Sequence, residues 1–463
     1  MIKFLFIFFF SYFALVMVYY LALGVIGLFE GQKKKIEEAA EDFHLMASSA
    51  FTIPISIIIP AHNEEVWIAD AVQSVIGLSY PQFEVIIVDD GSTDKTLDIL
   101  KELLELEPQT KPYVDHFNAG KLFNIFISRK YPFVTVLSKE SGHKKAGALN
   151  AALNLARYKY VCTIDADTVL EQDALLKVMA HVQKDPDKVI GIGSYYGLIN
   201  GFKVYSGRIV ERSFDLRPLI AYQNLEYIRT FIGNRIGWSS MNASPIISGG
   251  FAIWRRDIVL AVGGFAEYYS SEDLEFTFRV HEYLIKNRVK GYRIIMLPYF
   301  VGWTYGPAQE RALIKQRNRW QRVADESVMR YKHAIFNPRY GMLGLVTLPY
   351  FLLYECLGVF FETASWIITL WGFWAGIISF NVFMTFFVFM FLWQTIVSLF
   401  SLLIFSRVTK VMKASYIAYL ATLSLVEFFW YRWIILFAKL AGTLDYLKGV
   451  RSHDQFIRSS RTN

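Results

Sequence analysis

The segment YVCTIDADTVL, residues 160–170, carries an apolar run directly into Asp165 and Asp167. In an extended backbone, residues two apart face the same side, so both carboxylates can aim at one point while Ala166 turns away. Two short oxygen ligands suit Mg²⁺ or Mn²⁺, which keep several waters and bind jointly through substrate phosphates. The alternative is an ordinary turn, in which aspartate is common. The segment therefore predicts either a divalent-cation site or a turn.

Polar residues also follow three other predicted strands. PAHNEE follows the strand 53–60, DDGSTD ends the strand 83–90, and SGHKKAGALN follows the strand 134–139. Helices alternate with these strands, and Asn63 is expected to open the first of them. This alternation predicts a parallel sheet covered on both faces, whose ligands bind beyond the carboxyl ends of the strands. The strand ends supply seven candidate residues for one crevice: Asn63, Glu64, Asp89, Asp90, Lys145, Asp165 and Asp167.

The composition predicts a membrane protein with an inserted globular domain. Of the 463 residues, 54% are hydrophobic, which exceeds the roughly 45–50% of ordinary soluble domains. The excess lies in residues 1–29 and 343–405, and the first of these is longer than the ~20 residues that span a bilayer. Lys33, Lys34 and Lys35 follow it, and positive flanks stay cytoplasmic. The net charge of +7 includes no long basic run, so nucleic acid is not an expected partner.

The membrane part leaves its topology open. Residues 343–405 are long enough for two tilted or three upright spans. The next apolar stretch, 415–440, contains Glu427 and Arg432. Either this stretch is interfacial or re-entrant, or the two charges pair inside a helical bundle. The predicted boundaries are a transmembrane helix 1–30, a linker 31–52, a globular domain 53–305, an amphipathic interface helix 306–340, membrane or interface helices 343–440 and a basic cytoplasmic tail 441–463.

A set of motifs in a fixed order resembles a known family. PAHNEE, VDDGSTDKT, HKKAGALNAAL, DADT, SGGFAIWRRDIVLAVGGF, SEDLEF and QRNRW occur in the order of the inverting family 2 glycosyltransferases. More narrowly, they resemble the membrane-embedded processive synthases of cellulose, chitin, hyaluronan and poly-N-acetylglucosamine. The resemblance covers about residues 53–325 motif by motif. It implies an α/β GT-A (Rossmann-like) cytoplasmic domain inserted between an N-terminal transmembrane helix and a C-terminal α-helical membrane bundle.

The resemblance also implies residue roles. Asp167, helped by Asp165, would bind the metal on the diphosphate, and Asp273 would be the general base with Glu272 beside it. The nucleotide of a UDP-sugar would contact Asn63, Glu64, Asp89, Asp90 and Lys145, with Asp165 at its edge. Gln316, Arg319 and Trp320 would form the QxxRW signature at the acceptor and the diphosphate. The acceptor would also contact Ser248, Gly249, Gly250 and Trp303.

Several of these residues have structural alternatives. Glu272 and Asp273 open a predicted helix, where acids are favoured in any case. The small residues of SGGFAIW can serve a simple turn, and Trp303 can be ordinary core. The QRNRW helix, with Leu313, Ile314, Trp320 and Val323 as its apolar residues, can be a basic helix lying on anionic lipid.

The implied activity is processive polymerisation of a sugar from a UDP-sugar donor, with Mg²⁺ or Mn²⁺, into a β-linked polysaccharide secreted through the chain's own membrane helices. The alternative is a single transfer to a membrane lipid acceptor. The expected location is the bacterial cytoplasmic (inner) membrane, crossed several times, with the catalytic domain in the cytoplasm.

Overall fold

The computed structural model describes residues 2–110, 112–269 and 271–450. Within them the chain divides into two compact units. We call residues 34–215 with 244–306 the sheet unit, and residues 2–33, 216–243 and 307–450 the apolar unit. Residues 216–243, which the sequence-based boundaries placed inside 53–305, therefore pack with the apolar unit. Residues 451–463 of the expected tail lie outside the described part of the chain.

The sheet unit contains every strand of the described residues. The strands are Ile55–Ala61 (β1), Phe83–Asp89 (β2), Leu106–Pro108 (β3), Leu122–Ser128 (β4), Val134–Lys139 (β5), Tyr160–Ile164 (β6), Thr168–Leu170 (β7), Val189–Leu198 (β8), Lys203–Tyr205 (β9), Arg208–Glu211 (β10), Phe251–Arg255 (β11) and Arg293–Thr304 (β12).

The helices occupy both units. They are Ile2–Ala39 (α1), Phe43–Ser48 (α2), Ile68–Ile76 (α3), Thr96–Leu104 (α4), Lys144–Leu153 (α5), Ala174–Lys184 (α6), Pro218–Ile228 (α7), Ile236–Ser240 (α8), Arg256–Ala261 (α9), Asp273–Lys286 (α10), Glu310–Arg330 (α11), Leu348–Tyr350 (α12), Gly358–Trp374 (α13), Phe380–Val408 (α14), Ala414–Ser424 (α15) and Tyr431–Leu447 (α16). Three π-helical segments occur at Arg229–Arg235, Leu343–Thr347 and Phe351–Cys356.

Ten strands form one sheet in the order β3-β4-β5-β2-β1-β6-β11-β8-β12-β7. The strands β5, β2, β1 and β6 run parallel, as predicted from their alternation with helices. The sheet as a whole is mixed, because β11 runs antiparallel to β6 and β8, and β4 runs antiparallel to β5. The chain enters β11 after the segment 216–243 of the apolar unit, so no simple strand–helix–strand crossover dictates the direction of β11.

Burial on both faces explains why the central strands are continuous apolar runs. All seven residues of β1 are buried, and its β-branched isoleucines fit a strand that is covered on both sides. Helix α5 covers one face with small residues, and eight of its ten residues are buried. Trp254 of β11 meets Phe276 of α10 edge to face at 4.9 Å in the same core. The core thus fixes the positions of the sheet and of helices α5 and α10.

Two local predictions differ from the structure. Asn63 does not open α3, which begins at Ile68; Asn63 instead adopts a left-handed backbone with φ of 56°. Asparagine tolerates that conformation, so the residue makes a turn after β1 rather than a cap. The expected linker 31–52 is helical through Ala39 because QKKKIEEA consists largely of good helix formers.

The apolar unit contains the candidate membrane spans. Among the described residues, Phe4–Ala39 and Phe380–Val408 are long and apolar enough to cross a bilayer. A third span results if Leu343–Cys356 and Gly358–Trp374, which are bent by 41° at their junction, count as one. The stretch 415–440 is divided into α15 and α16 by a break at Glu427–Phe429.

Glu427 and Arg432 do not pair with each other, contrary to one of the two alternatives for this stretch. Glu427 accepts two hydrogen bonds from Arg229, each 2.7 Å long, and another from Gln394 at 3.0 Å. Arg432 pairs with Glu362 of α13. The sequence shows which charges lie in apolar segments, but their partners depend on which helices pack together.

Candidate active site

The parallel strands bring several predicted site residues to one edge of the sheet. Ala61 at the end of β1 is paired with Asp89 at the end of β2, and Asp89 with Ser138 of β5. β6 lies on the other side of β1 and runs into Asp165. The carboxyl ends of these strands therefore form a continuous edge in the sheet unit.

Two carboxylates at the end of β2 have different environments. Asp90 Oδ1 lies 2.5 Å from Nζ of Lys139, whose side chain is fully buried. Asp89 is buried and accepts hydrogen bonds from the Ser92 backbone N–H at 3.3 Å and the Ser138 hydroxyl at 3.4 Å. Burial raises the pKa of Asp89 above its ordinary value. The charge of Asp90 is thus neutralised by a lysine, whereas Asp89 accepts hydrogen bonds from uncharged donors.

The turn after β1 is tied to the turn after β2. Asn63 Oδ1 accepts a hydrogen bond from the Thr93 backbone N–H at 2.8 Å, and the Asn63 N–H donates to Ser92 Oγ at 3.0 Å. The backbone N–H of the half-buried Glu64 donates to Thr96 Oγ1 at 2.8 Å. These bonds hold the predicted nucleotide residues of the two turns beside each other.

Lys145, in the first turn of α5, joins two further predicted residues. Its Nζ lies 2.6 Å from Asp165 Oδ1 and 2.7 Å from Glu272 Oε1. Burial alone would lower the pKa of Lys145, but the carboxylates of Asp165 and Glu272 raise it above its ordinary value. The ammonium group of Lys145 is therefore held between the DAD segment and the start of α10.

Asp273 is the first residue of α10, and both its carboxylate oxygens accept hydrogen bonds. Oδ1 accepts from the Ser271 hydroxyl and the Leu274 backbone N–H, each at 2.9 Å, and Oδ2 accepts from the Gly249 backbone N–H at 3.3 Å. The expected helix start at Glu272 and Asp273 is confirmed. Cap-like bonds and a chemical role are compatible here, because the bonds fix the orientation of a carboxylate that can still accept a proton.

The glycines of SGGFAIW lie close to neighbouring side chains. A Cβ at Gly249 would lie 2.7 Å from Lys145 Nζ and 3.0 Å from Glu272 Oε1. A Cβ at Gly250 would lie 2.9 Å from the ring of Tyr196, whose hydroxyl shares a hydrogen bond with Ser248. The structure thus brings Ser248, Gly249 and Gly250 to the Lys145 cluster. Contact of these residues with an acceptor stays a prediction.

The DAD segment is a turn, not an extension of β6. The Thr168 N–H donates to the Asp165 carbonyl at 3.0 Å, which closes a turn between β6 and β7. The expectation that two-residue alternation aims both carboxylates at one point is therefore wrong in its reasoning, since the backbone is not extended there. Asp165 is bound to Lys145, whereas the buried Asp167 accepts a hydrogen bond from Thr304 Oγ1 at 3.2 Å.

Trp303 packs among the aromatic residues of the sheet unit. Its side chain is fully buried on β12, and its indole N–H donates to Glu171 at 2.9 Å. Phe300 and Phe202 pack against its ring with centroid distances of 4.4 and 4.6 Å. This packing is what the alternative of an ordinary core residue predicts, and the contact of Trp303 with an acceptor stays a prediction.

The QRNRW helix, α11, belongs to the apolar unit. Arg317, between the signature residues, is buried and pairs with Glu226 of α7 at 2.8 Å. Its guanidinium also lies 4.1 Å from the centroid of the Trp320 ring. Leu313 and Val323 are buried, but Ile314 and Trp320 are each more than a third exposed. The buried residues of α11 thus include both polar and apolar side chains, and the interface position of this helix stays a prediction.

Gln316 and Arg319 of α11 are half-buried. Gln316 Oε1 accepts a hydrogen bond from Arg317. The predicted roles of Gln316, Arg319 and Trp320 at the acceptor and the diphosphate stay predictions.

Family models match most of this region. The model described as glycosyl transferase family 2 matches residues 56–260, and that of glycosyl transferase family group 2 matches residues 160–431, more than half of the chain. The chain belongs to the family 2 glycosyltransferases. This glycosyltransferase shares its fold with a mannosyltransferase from Pyrobaculum calidifontis, with a TM-score of 0.55 and 16% identity over 94% of this chain and 99% of that one.

Two curated relatives are similar to the glycosyltransferase over part of their length. It is 28% identical over 287 residues to a probable glycosyltransferase, YdaM, of Bacillus subtilis, covering 61% of this chain and 58% of the relative. It is 27% identical over 276 residues to the poly-beta-1,6-N-acetyl-D-glucosamine synthase of Staphylococcus aureus, covering 60% of this chain and 56% of the relative. The glycosyltransferase thus spans little more than half the length of either relative.

The carboxylates of the glycosyltransferase fit a divalent cation that is shared with phosphate. Within the ranges that the structure describes, no three His, Cys, Asp or Glu side chains converge on a metal-binding position. An all-protein cage, as Zn²⁺ would need, is therefore absent from those ranges. Mg²⁺ and Mn²⁺ need only one or two carboxylates when phosphate and water complete the shell. Asp167 and Asp165 are two such carboxylates.

Sequence reasoning missed three residues of this glycosyltransferase that contact predicted site residues. Lys139 pairs with Asp90, Thr304 bonds to Asp167, and Arg317 stacks on Trp320. Lys139 and Arg317 had local signals: Lys139 is the last residue of a predicted strand, and Arg317 lies three residues before Trp320 on one helix. No local pattern pointed to Thr304, because its partner Asp167 lies in a distant segment.

Proposed function

We propose that the chain is an inverting, processive synthase. It transfers a sugar from a UDP-sugar donor to a growing β-linked polysaccharide and passes the product through its own membrane helices. The observation that carries this proposal is the Lys145–Asp165–Glu272 cluster beside Asp273. It combines a cation for a leaving diphosphate with a carboxylate for the attacking hydroxyl in a family 2 glycosyltransferase.

The turns after β1 and β2 would receive the nucleotide. Asn63 and Glu64 on one turn, and Asp89 and Asp90 on the other, offer acceptors for the uracil and ribose groups. Asp165 would lie at the diphosphate end of this surface through its contact with Lys145. The hydrogen bonds between the two turns support this role because they hold the acceptors in place before the donor arrives.

The leaving diphosphate would be stabilised by fixed positive charge. Departure of the nucleotide builds negative charge, and Lys145 remains protonated beside it because its pKa is raised. Asp167, with Asp165, would hold Mg²⁺ or Mn²⁺, which neutralises diphosphate charge when bound. The Pyrobaculum mannosyltransferase was solved with GDP-Man and Mn²⁺, which supports a divalent cation in this fold.

Asp273 would act as the general base. An acceptor hydroxyl is a poor nucleophile, so a carboxylate must take its proton as the new bond forms. The hydrogen bonds from Ser271, Leu274 and Gly249 keep Asp273 oriented for that transfer. A single displacement inverts the anomeric centre, and an α-linked donor then yields a β-linkage. Glu272 would support the base by anchoring Lys145.

The acceptor side would use two groups of residues. Ser248, Gly249 and Gly250 let a sugar approach the backbone. Gln316, Arg319 and Trp320 would bind the acceptor and the diphosphate, and the exposed ring of Trp320 offers a flat apolar surface for a sugar.

The membrane arrangement follows the sequence boundaries. Residues 1–30 and the helices of 343–440 would lie in a bacterial inner membrane among its lipids, and 53–305 would be cytoplasmic apart from 216–243, which pack with the apolar unit. Residues 306–340 would lie at the interface. The basic residues after the first span support this orientation.

Donor screening tests the proposal. Purified full-length protein with UDP-glucose, UDP-N-acetylglucosamine or UDP-glucuronate should release UDP with one of them, only in the presence of Mg²⁺ or Mn²⁺. Long products on the active donor would support processive synthesis, whereas single additions to lipid would favour the alternative acceptor. Absence of UDP release with every donor and either cation would contradict the proposal.

A further inference from the structure

The end of β12 carries two residues, Thr304 and Tyr305, that contact two different parts of the proposed donor site. Thr304 is paired with Thr168 of β7 on one side and with Leu198 of β8 on the other. Its carbonyl also accepts a hydrogen bond from the Ile199 N–H at 3.0 Å. The backbone at this point is therefore fixed from both sides before any ligand is present.

Thr304 makes contact with the carboxylate proposed to hold the cation. Its hydroxyl donates to Asp167 Oδ1 at 3.2 Å, and both side chains are less than a tenth exposed. A hydrogen bond to one carboxylate oxygen restricts the rotation of the carboxylate and leaves the other oxygen directed elsewhere. Groups that orient a metal ligand in this way typically change metal affinity 10–100-fold when they are removed.

Tyr305 makes contact with the turn proposed to hold the nucleotide. Its ring stacks on Trp67, with centroids 3.4 Å apart and the planes inclined by 26°. Trp67 is buried and immediately precedes α3, and its N–H donates to the Glu64 carbonyl at 3.0 Å. The stacked rings therefore anchor the turn that carries Asn63 and Glu64.

We infer that Thr304 and Tyr305, which we call the β12 brace, are positioning residues for a nucleoside diphosphate and its divalent cation. Two consecutive residues, the last of β12 and the one that follows it, hold Asp167 and the turn of residues 63–67 at a fixed separation. That separation must match the distance between the nucleoside and the diphosphate of one donor molecule. The inference rests on the proposed function and concerns two residues of the segment GWTYGP, 302–307.

Conservative and disruptive variants separate positioning from packing. Thr304→Val keeps the volume and removes the hydroxyl, whereas Thr304→Ser keeps the hydroxyl. Tyr305→Ala removes the stacked ring, whereas Tyr305→Phe keeps it. Thermal midpoints of the four full-length variants would show whether each one folds, and ligand binding is then compared among the folded variants.

Binding is measured without turnover. Mn²⁺ affinity in the presence of UDP is followed by the electron paramagnetic resonance signal of free Mn²⁺, and UDP affinity by calorimetry. Thr304→Val should raise the Kd for Mn²⁺ about tenfold, and Thr304→Ser should leave it within about threefold. Tyr305→Ala should raise the Kd for UDP roughly tenfold through loss of a stacked aromatic contact and of the turn that it anchors, and Tyr305→Phe should restore the wild-type value.

Two failures are distinguishable. If wild-type protein binds UDP and Mn²⁺ and turns over a donor, but Thr304→Val and Tyr305→Ala bind both ligands as wild type does, the β12 brace has no positioning role. If the wild-type protein binds neither UDP nor Mn²⁺, the proposed function itself fails.

Discussion

Lys145 combines burial with charge in a way that few surface lysines do. Two carboxylates, Asp165 and Glu272, lie within 2.7 Å of its Nζ, and their charge raises its pKa in spite of burial. The lysine therefore stays cationic at any physiological pH. An anionic donor would find a positive charge that is already held in place, so little reorganisation is needed when the diphosphate arrives.

Replacing Lys145 by glutamine should lower kcat by about 10²–10³-fold, the effect typical of losing one preorganised charge at a reacting centre. The loss should also weaken donor binding, because Asp165 and Glu272 would then repel the diphosphate. The measurement is steady-state UDP release over a range of donor concentrations.

Lys144→Gln is the matched control for this prediction. Lys144 is the neighbouring residue, and its ammonium donates a long bond of 3.4 Å to the Tyr268 carbonyl. The control should retain wild-type kinetics. Equal rates in the Lys145 and Lys144 variants would show that the charge of Lys145 is not used.

At the scale of elements, helices α6 and α10 each carry one buried histidine. His281 of α10 donates through Nε2 to the Ser244 carbonyl at 3.1 Å, and Nδ1 lies 3.0 Å from the Tyr292 hydroxyl. Burial lowers the pKa of His281, and that of His181 in α6, to about 4. Both are neutral in the folded chain, whereas the unfolded chain would protonate them near pH 6.5.

Stability should therefore fall as the pH drops from 6.5 toward 4, because the unfolded state binds more protons throughout that window. Each histidine contributes at most about 1.4 kcal/mol per pH unit. His281→Gln should flatten the pH dependence of the thermal midpoint, while His116→Gln, at an exposed position, should leave it unchanged. A His281 variant with the wild-type slope would contradict this account.

Buried ion pairs connect elements of the apolar unit. Arg229 and Glu427 join the π-helical segment 229–235 to the break between α15 and α16, and Glu427 is almost fully buried. Removal of one partner leaves an uncompensated charge, which costs about 3–5 kcal/mol, whereas joint apolar replacement is often nearly neutral.

Arg229→Met or Glu427→Leu alone should thus reduce the amount of folded protein extracted from membranes, and the double variant should restore it. Size-exclusion chromatography of detergent extracts would measure this effect. Removal of the exposed Lys203–Glu211 pair serves as a control and should change nothing. If the double variant loses as much folded protein as the two single variants together, the two residues are not coupled.

Sequence alone predicts elements whose signal is local. The strand 134–139 is confirmed residue for residue, and β1, β2 and β6 differ from prediction only at their ends. The antiparallel direction of β11 and the Glu427–Arg229 pair were not predicted. Each of these depends on a partner far away in the chain, and strand periodicity or composition contains no information about that partner.

The candidate site shows the same division. The residues that would bind a diphosphate and accept a proton can be identified from PAHNEE, DDGSTD, DAD and SEDLEF. Their surroundings are not, because Lys139, Thr304 and the packing of Trp303 come from the sheet order. The chemical role of a residue is thus predictable where its motif is local, whereas the protonation state and the orientation of its side chain are set by tertiary contacts.

At the scale of the whole molecule, the chain joins a glycosyltransferase sheet unit to helices of membrane-spanning length. A soluble transferase has no need of such helices, whereas a synthase that exports its polymer does. Product length is therefore the property of the complete chain that separates polymerisation from single transfer, and it requires both units in one preparation.

The central claim is that Asp273 removes the acceptor proton in a UDP-sugar-dependent transfer. The most direct test is UDP release by full-length Asp273→Asn protein, compared with wild type and with Glu282→Gln, a change later on the same helix at a residue that pairs with Lys286. We expect Asp273→Asn to lose about 10²–10⁴-fold in rate with an unchanged thermal midpoint, and Glu282→Gln to match wild type. Turnover by Asp273→Asn at the wild-type rate would contradict the account.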